Sequence, residues 1–365
     1  IMAPTASNRT SKLRRLMNVL GPFFGLILVV VLFGMLLYIQ DIRSEMEFDG
    51  ATGFKSFMET ARSIEYAQSD TFPGLKAFLS GANSKIIFIQ TVIVAIGALG
   101  MTMIIVSGGI DLSVGSVVAL TSVVGASLLV KEYHPALVIL LTVMAGGGIG
   151  LINGLTVAGM RMMPFIVTLG MMGIARGLAK WMAGNQTVNS PPSIVNSMMA
   201  MHEPMQFLPL PPGVWLAVVL AAGMAVVLQQ TVFGRYVFAI GSNESTARLC
   251  GIRVRMHKVL IYTLAGLFFG FAGLMQLSRL TQGDPTVAIG LELDIIAAVV
   301  IGGASLSGGT GSILGSMIGA LIMAVLRNGS NQMGWPNYMQ EIIIGIVIIL
   351  AVGLDRLRQR RATTE

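Results

Sequence analysis

FGRYVFAIGSNESTARLCGIRV, residues Phe233–Val254, is the longest polar interruption in the second half of an otherwise apolar chain. The stretch reads as one short helix with marked ends. Ser242 or Asn243 can cap it, because a side-chain oxygen there satisfies a free amide of the first turn. Glu244 then lies by the positive end of the helix dipole and Arg248 by the negative end. The two are also spaced so that opposite charges meet on one helical face. Gly251 stops the helix, since glycine enters the left-handed conformation cheaply. Arg253, Arg255 and Lys258 follow before the next apolar run begins. A stiff polar helix slung between two apolar runs on the basic side is a lever for a partner.

Outward from that lever the chain is greasy. Hydrophobic residues make up 54% and charged residues 11%, with 44 glycines and 25 methionines. A soluble chain carries about 25% charged residues, so this one is a membrane protein. The apolar runs approach the ~20 residues that a helical span requires, and the short alternating segments of a barrel are missing. Apolar runs are found at Met17–Ile39, Lys85–Val106, Ser113–Val130, Ala136–Ala158, Phe165–Ala183 and Gly213–Gln230. Further runs cover Val259–Leu277, Leu293–Gly303, Ser312–Leu326 and Tyr338–Leu354. The fold expected is therefore an all-α polytopic membrane protein of about ten transmembrane helices, with both termini cytoplasmic. Topology follows from charge: the N-terminal tail, Arg161, the loop around the lever and the Arg356–Arg361 tail hold more than half of the 24 Lys and Arg residues. All four fall on one side when the spans are counted off, as the positive-inside rule requires. The same placement accounts for the net charge of +7 without nucleic acid.

Five parts result. Residues 1–16 form a basic cytoplasmic tail, 17–39 the first span, and 40–83 an extracytoplasmic insertion. Residues 84–355 form the helical bundle with its cytoplasmic loop 231–258, and 356–365 a second basic tail. The first run is too long for a secretory signal and lacks a small-residue cleavage site. In the insertion, Phe54, Phe57, Met58, Ala61 and Ile64 recur at helical spacing, which predicts a surface helix. A proline-rich stretch between Gly184 and Pro212 also falls outside. Trp181, Trp215 and Trp335 stand at outer span ends, where an interfacial aromatic belt would place them. The single cysteine, Cys250, excludes an internal disulfide and reads as a small apolar filler.

Two glycine-rich segments resemble each other: GGIDLSVG at Gly108–Gly115 and GGASLSGG at Gly302–Gly309. Either glycine abundance alone produces the likeness, or these are matched helix breaks of the kind that line a transport path. Asp111 has two readings of its own, an N-cap for the span starting at Leu112 or a polar contact in that path. Asn153, Gln90 and Asp294 are weaker candidates, more simply explained as interhelical hydrogen-bonding groups. Ser113, Ser305 and Ser307 accompany the two breaks. Gly146, Gly147, Gly148, Gly150 and Gly154 read as a close-packing face. Enzyme signatures are missing: the histidines have no metal-ligand spacing and no phosphate-binding loop occurs, so any ATP must be used elsewhere.

The segments SGGIDLSVGS (Ser107–Ser116), GLINGL (Gly150–Leu155), PFIVTLG (Pro164–Gly170), Phe233–Val254 and ELDIIAAVVIGGASLSGGTGS (Glu292–Ser312) carry a resemblance. In order and over Lys85 to about Arg358, the chain resembles the permease subunits of bacterial ATP-binding-cassette importers for monosaccharides. The resemblance implies a homodimer, or a pair with a paralogous permease, in the lipid of the inner membrane. It implies a cytoplasmic ATPase that carries ATP and magnesium, and a periplasmic solute-binding protein. The Asn243–Gly251 helix is similar to the coupling helix, with Gly234, Arg235, Gly241, Asn243, Ala247 and Gly251 as the matching positions. Asp111 and Ser113 match the family signature after the second span. The insertion is longer than the family's usual connection. Sister permeases carry nucleosides, branched-chain amino acids or a signalling furanose; a lone ion-coupled carrier fits less well, as no span carries paired acids.

Overall fold

The computed structural model describes residues 6–48, 73–200 and 209–363. Every segment read as a span is helical. The helices are α1 (Ala6–Phe48), α2 (Pro73–Phe78), α3 (Gly81–Val106), α4 (Val114–Val130), α5 (Pro135–Gly159), α6 (Pro164–Met182) and α7 (Ile194–Ser197). They continue as α8 (Pro212–Gln230), α9 (Val232–Ser242), α10 (Glu244–Leu249), α11 (Val254–Leu280), α12 (Leu291–Ile301), α13 (Ile313–Gln332) and α14 (Asn337–Thr363). Among the described residues, seven helices are long and apolar enough to cross a membrane: α1, α3, α5, α6, α8, α11 and α13. The 11 residues of α12 extend about 16 Å, roughly half of a ~30 Å hydrocarbon layer. The expectation of an all-helical chain is corrected in one detail. Val188–Asn189 (β1) pairs antiparallel with Gln282–Gly283 (β2), which ties two loops together at one end of the bundle.

Helix α3 is the axis. Nearly all of it beyond Ile89 is buried, against α11, α13 and α12. It is clipped to α13 twice. Asn83 and Asn328 exchange amide hydrogen bonds of 3.0 and 2.9 Å, and Thr102 Oγ1 lies 2.7 Å from Ser316 Oγ. Helices α5 and α11 approach until backbones touch. A Cβ on Gly154 would stand 2.8 Å from Val259 Cα, and one on Gly150 would collide with the Tyr262 carbonyl. The small-residue face expected there is real, though Gly148 points away from it.

The first helix outruns its predicted span at both ends. At its far end the Asp41 carboxylate accepts the amides of Gly74 (3.2 Å) and Leu75 (3.0 Å), which caps α2. Lower in α1, Phe33 packs against Phe78 and Trp335. Trp181 and Trp215 are exposed beside their helix ends, as a belt requires. The predicted surface helix from Phe54 to Ile64 lies outside the described residues.

Candidate coupling segment and polar breaks

The stretch Phe233–Val254 forms two helices, α9 and α10, rather than one. Asn243 ends the first and caps the second: extended at φ −160°, it accepts the Thr246 amide on Oδ1 at 2.9 Å. Sequence reasoning did not separate α9 as a helix of its own; it starts behind Thr231, whose Oγ1 accepts the Gly234 amide at 3.2 Å. The rest of the reading stands. Arg248 bonds Glu244 at 2.9 Å, and Gly251 turns the chain at φ +86°.

A second cation is added by the structure. Lys258 Nζ, at the start of α11, meets the other oxygen of Glu244 at 2.7 Å. That bond, helped by the charges of Lys258 and Arg248, holds the Glu244 carboxyl below its ordinary range. Arg161 and Arg255 line the same small cavity. Separation by fourteen residues put Lys258 outside any local spacing rule, so sequence reasoning missed the clamp. Ala247 is buried with Ile240 and Val254, Leu249 is 89% exposed, and Cys250 is exposed rather than a filler. Gly234 lies against the backbone of Leu228, where a Cβ would collide; Arg235 is exposed.

The two similar glycine segments meet in space. A Cβ on Gly308 would lie 3.0 Å from Gly108 Cα and 2.7 Å from the Gly241 carbonyl. The Gly309 amide donates to the Val106 carbonyl at 2.8 Å, and a Cβ on Gly241 would fall onto that same oxygen. The last turn of α9 is therefore wedged between both breaks. Ser305 is buried and steadies its loop by accepting the Ser307 amide on Oγ at 3.2 Å.

Asp111 stands just inside the first break and is buried. It does not cap a helix at Leu112. Helix α4 begins at Val114, and the Asp111 carboxylate instead accepts the amide (2.7 Å) and hydroxyl (2.6 Å) of Ser113, an Asx turn. Asn153 on α5 donates to Ser113 Oγ (3.1 Å) and to Asp111 Oδ2 (3.4 Å). Thr168 on α6 accepts the Leu112 amide at 3.1 Å. Two helices are thus pinned to one non-helical segment. Asn153 Oδ1 and the Tyr262 hydroxyl are buried there without a hydrogen-bond partner among the described residues.

Asp294 stands apart from this cluster, in the half of the bundle away from α10. Its Oδ2 takes both Nε (3.0 Å) and Nη2 of Arg327 on α13. Arg327 lies one residue past the apolar run that ends at Leu326, and sequence reasoning did not single it out. Arg176 was missed as well; its Nη1 donates to the carbonyls of Pro285 (2.9 Å) and Val287 (2.6 Å), which holds the loop leading into α12. That loop dips between the helices, for a Cβ on Gly115 would collide with the Ala288 carbonyl.

Comparison with known proteins gives the family. The chain is 40% identical over 270 residues to the ribose import permease protein RbsC of Escherichia coli, covering 74% of this chain and 84% of that protein. It is 37% identical over 340 residues to the protein of the same name from Bacillus subtilis, covering 93% of each. Identity to the L-arabinose ABC transporter permease protein AraH of Azospirillum brasilense is 36% over 287 residues, 78% of this chain and 84% of that one. No solved structure matches the chain. Residues 84–352 match the model of the family described as branched-chain amino acid transport system / permease component, and the chain belongs to that family of membrane permeases.

Proposed function

We propose that the chain is the membrane-spanning subunit of an ATP-driven importer for a monosaccharide, in the bacterial inner membrane. Ten spans with both termini inside are the reading that keeps the basic segments together. Two copies, or one copy and a paralogous permease, pair in the lipid. A cytoplasmic ATPase holds ATP and magnesium, and a periplasmic binding protein brings the sugar. The cargo named for the relatives is ribose or L-arabinose, which favours a sugar over the amino acids in the family's description.

The observation that carries this reading is the wedge at Gly241. Helix α10 presents Leu249 to a partner and is clamped through Glu244 to α11. Displacing it moves the end of α9, and with it both glycine breaks, because no side-chain slack separates their backbones. Asp111, Ser113 and Asn153 then act at the inner gate beside Ser305 and Ser307, while Asp294 acts further out. The switch is a rigid-body rocking of the halves. Replacing Leu249 with Glu tests the reading, since so exposed a residue has no folding role. The expected result is loss of ATPase co-purification and of ATP-driven sugar uptake, with membrane insertion intact. Undiminished ATPase binding would overturn the lever, as would a reporter at Arg248 that is accessible only from outside.

A further inference from the structure

A cavity of about 280 Å³ lies between α3, α11, α12, α13 and the start of α14, in the half of the bundle away from α10. Its walls include Gln90, Gln276, Arg279, Asp294, Arg327 and Gln340. Two oxygens among these groups are buried and have no hydrogen-bond partner among the described residues, Gln90 Oε1 and Asp294 Oδ1. The second is orphaned because Arg327 places both of its bonds on Oδ2. Leaving a buried acceptor unmet costs roughly 1–3 kcal/mol, and more when it is charged, so a pair of them in one cavity points to an absent donor.

We propose that this cavity is a solute site on the permease itself, for one ring of an uncharged polyhydroxylated molecule. The inference rests on the sugar-importer reading and adds the residues that recognise the cargo. Both orphaned atoms are acceptors, so the ligand must offer O–H or N–H groups. A carboxylate alone has none to give, and either it or a phosphate would set a second negative charge against Asp294. Sugar hydroxyls donate and accept together. They satisfy Gln90 Oε1 and Asp294 Oδ1, and their own oxygens accept from the Gln276 amide and from the Arg279 guanidinium, which makes no hydrogen bond or ion pair among the described residues. Planar amide, carboxylate and guanidinium groups present their atoms in fixed pairs, which suits adjacent hydroxyls. A zwitterionic amino acid is the competing ligand, with its ammonium on the two acceptors and its carboxylate on Arg279.

The test is saturation-transfer NMR on the full chain in lipid nanodiscs, with D-ribose, L-arabinose, D-fructose and L-leucine as probes. At least one sugar should receive saturation where leucine does not, and Gln90→Leu should cut the transfer severalfold. Asp294→Asn, which keeps shape and drops one acceptor's charge, should cut it in the same direction and covers the case of a misfolded Gln90 variant. Stronger transfer to leucine, no transfer to any sugar, or transfer indifferent to both substitutions would overturn the site. ATP-driven sugar uptake by the complete assembly is measured in parallel. Its presence leaves the importer reading standing while the site falls; its absence removes the reading first.

Discussion

The two ends of this bundle solve opposite problems. At the end bearing α10, Gly108, Gly241 and Gly308 bring three backbones within contact, with no room for a single added carbon at Gly241 or Gly308. In the other half, a cavity of about 280 Å³ is held open among long polar side chains, two of them with unmet oxygens. The first arrangement is suited to transmitting displacement, because nothing in it can be compressed. The second is suited to a guest, because two oxygens in its walls lack a partner among the described residues. Tightness is made from glycine, and capacity from Gln, Asp and Arg.

The contrast is broken most severely at Arg327. Replacing it with Met removes the partner of a buried carboxylate, for a loss of about 3–5 kcal/mol. A thermal melt of the purified chain in detergent should show the drop, and adding Asp294→Asn should recover most of it. Full recovery would show that the pair has no role in folding beyond its own neutrality. At the opposite end, Gly241→Ala drives a methyl onto the Val106 carbonyl and should cost about 1–3 kcal/mol, with uptake lost while the ATPase still binds. The control is Gly148→Ala, whose Cβ meets nothing within 4 Å and which should be neutral or slightly stabilising. Equal effects at the two glycines would erase the distinction between wedge and surface.

The smallest effect concerns pH. Because Lys258 lowers the Glu244 pKa in the fold, the clamp contributes fully above the unfolded value of about 4.3 and is lost as pH falls through the lower folded value. Coupling should therefore be flat from neutrality to about pH 5, and weaken only in stronger acid. Glu244→Gln should impose the weakened state at neutral pH, as read by the ratio of sugar moved to ATP hydrolysed. An unchanged ratio would mean that α10 is held by its buried Ala247 alone.

What could be read from the chain follows the range of the forces. Span positions, the Asn243 cap, the Glu244–Arg248 pair and the Gly251 stop are local, set by composition or by spacing within a turn or two. Asp294–Arg327 joins residues on two helices, and Glu244–Lys258 bridges a turn between helices; neither has a periodic signature. The likeness of the two glycine segments was visible, but not that they touch each other through Gly241. Asp111 shows a subtler limit. A carboxylate two residues before Ser113 fits a cap or a turn equally well, and only the start of α4 at Val114 decides between them.

Asp41 carries a separate lesson. By holding the amides of Gly74 and Leu75 it fastens the far end of α1 to the start of α2 at a single point. The join links positions 33 and 34 residues apart in sequence, so it fixes where α2 begins relative to α1. Asp41 is thus a rivet: an alanine in its place would strip α2 of its cap and leave both amides without their acceptor.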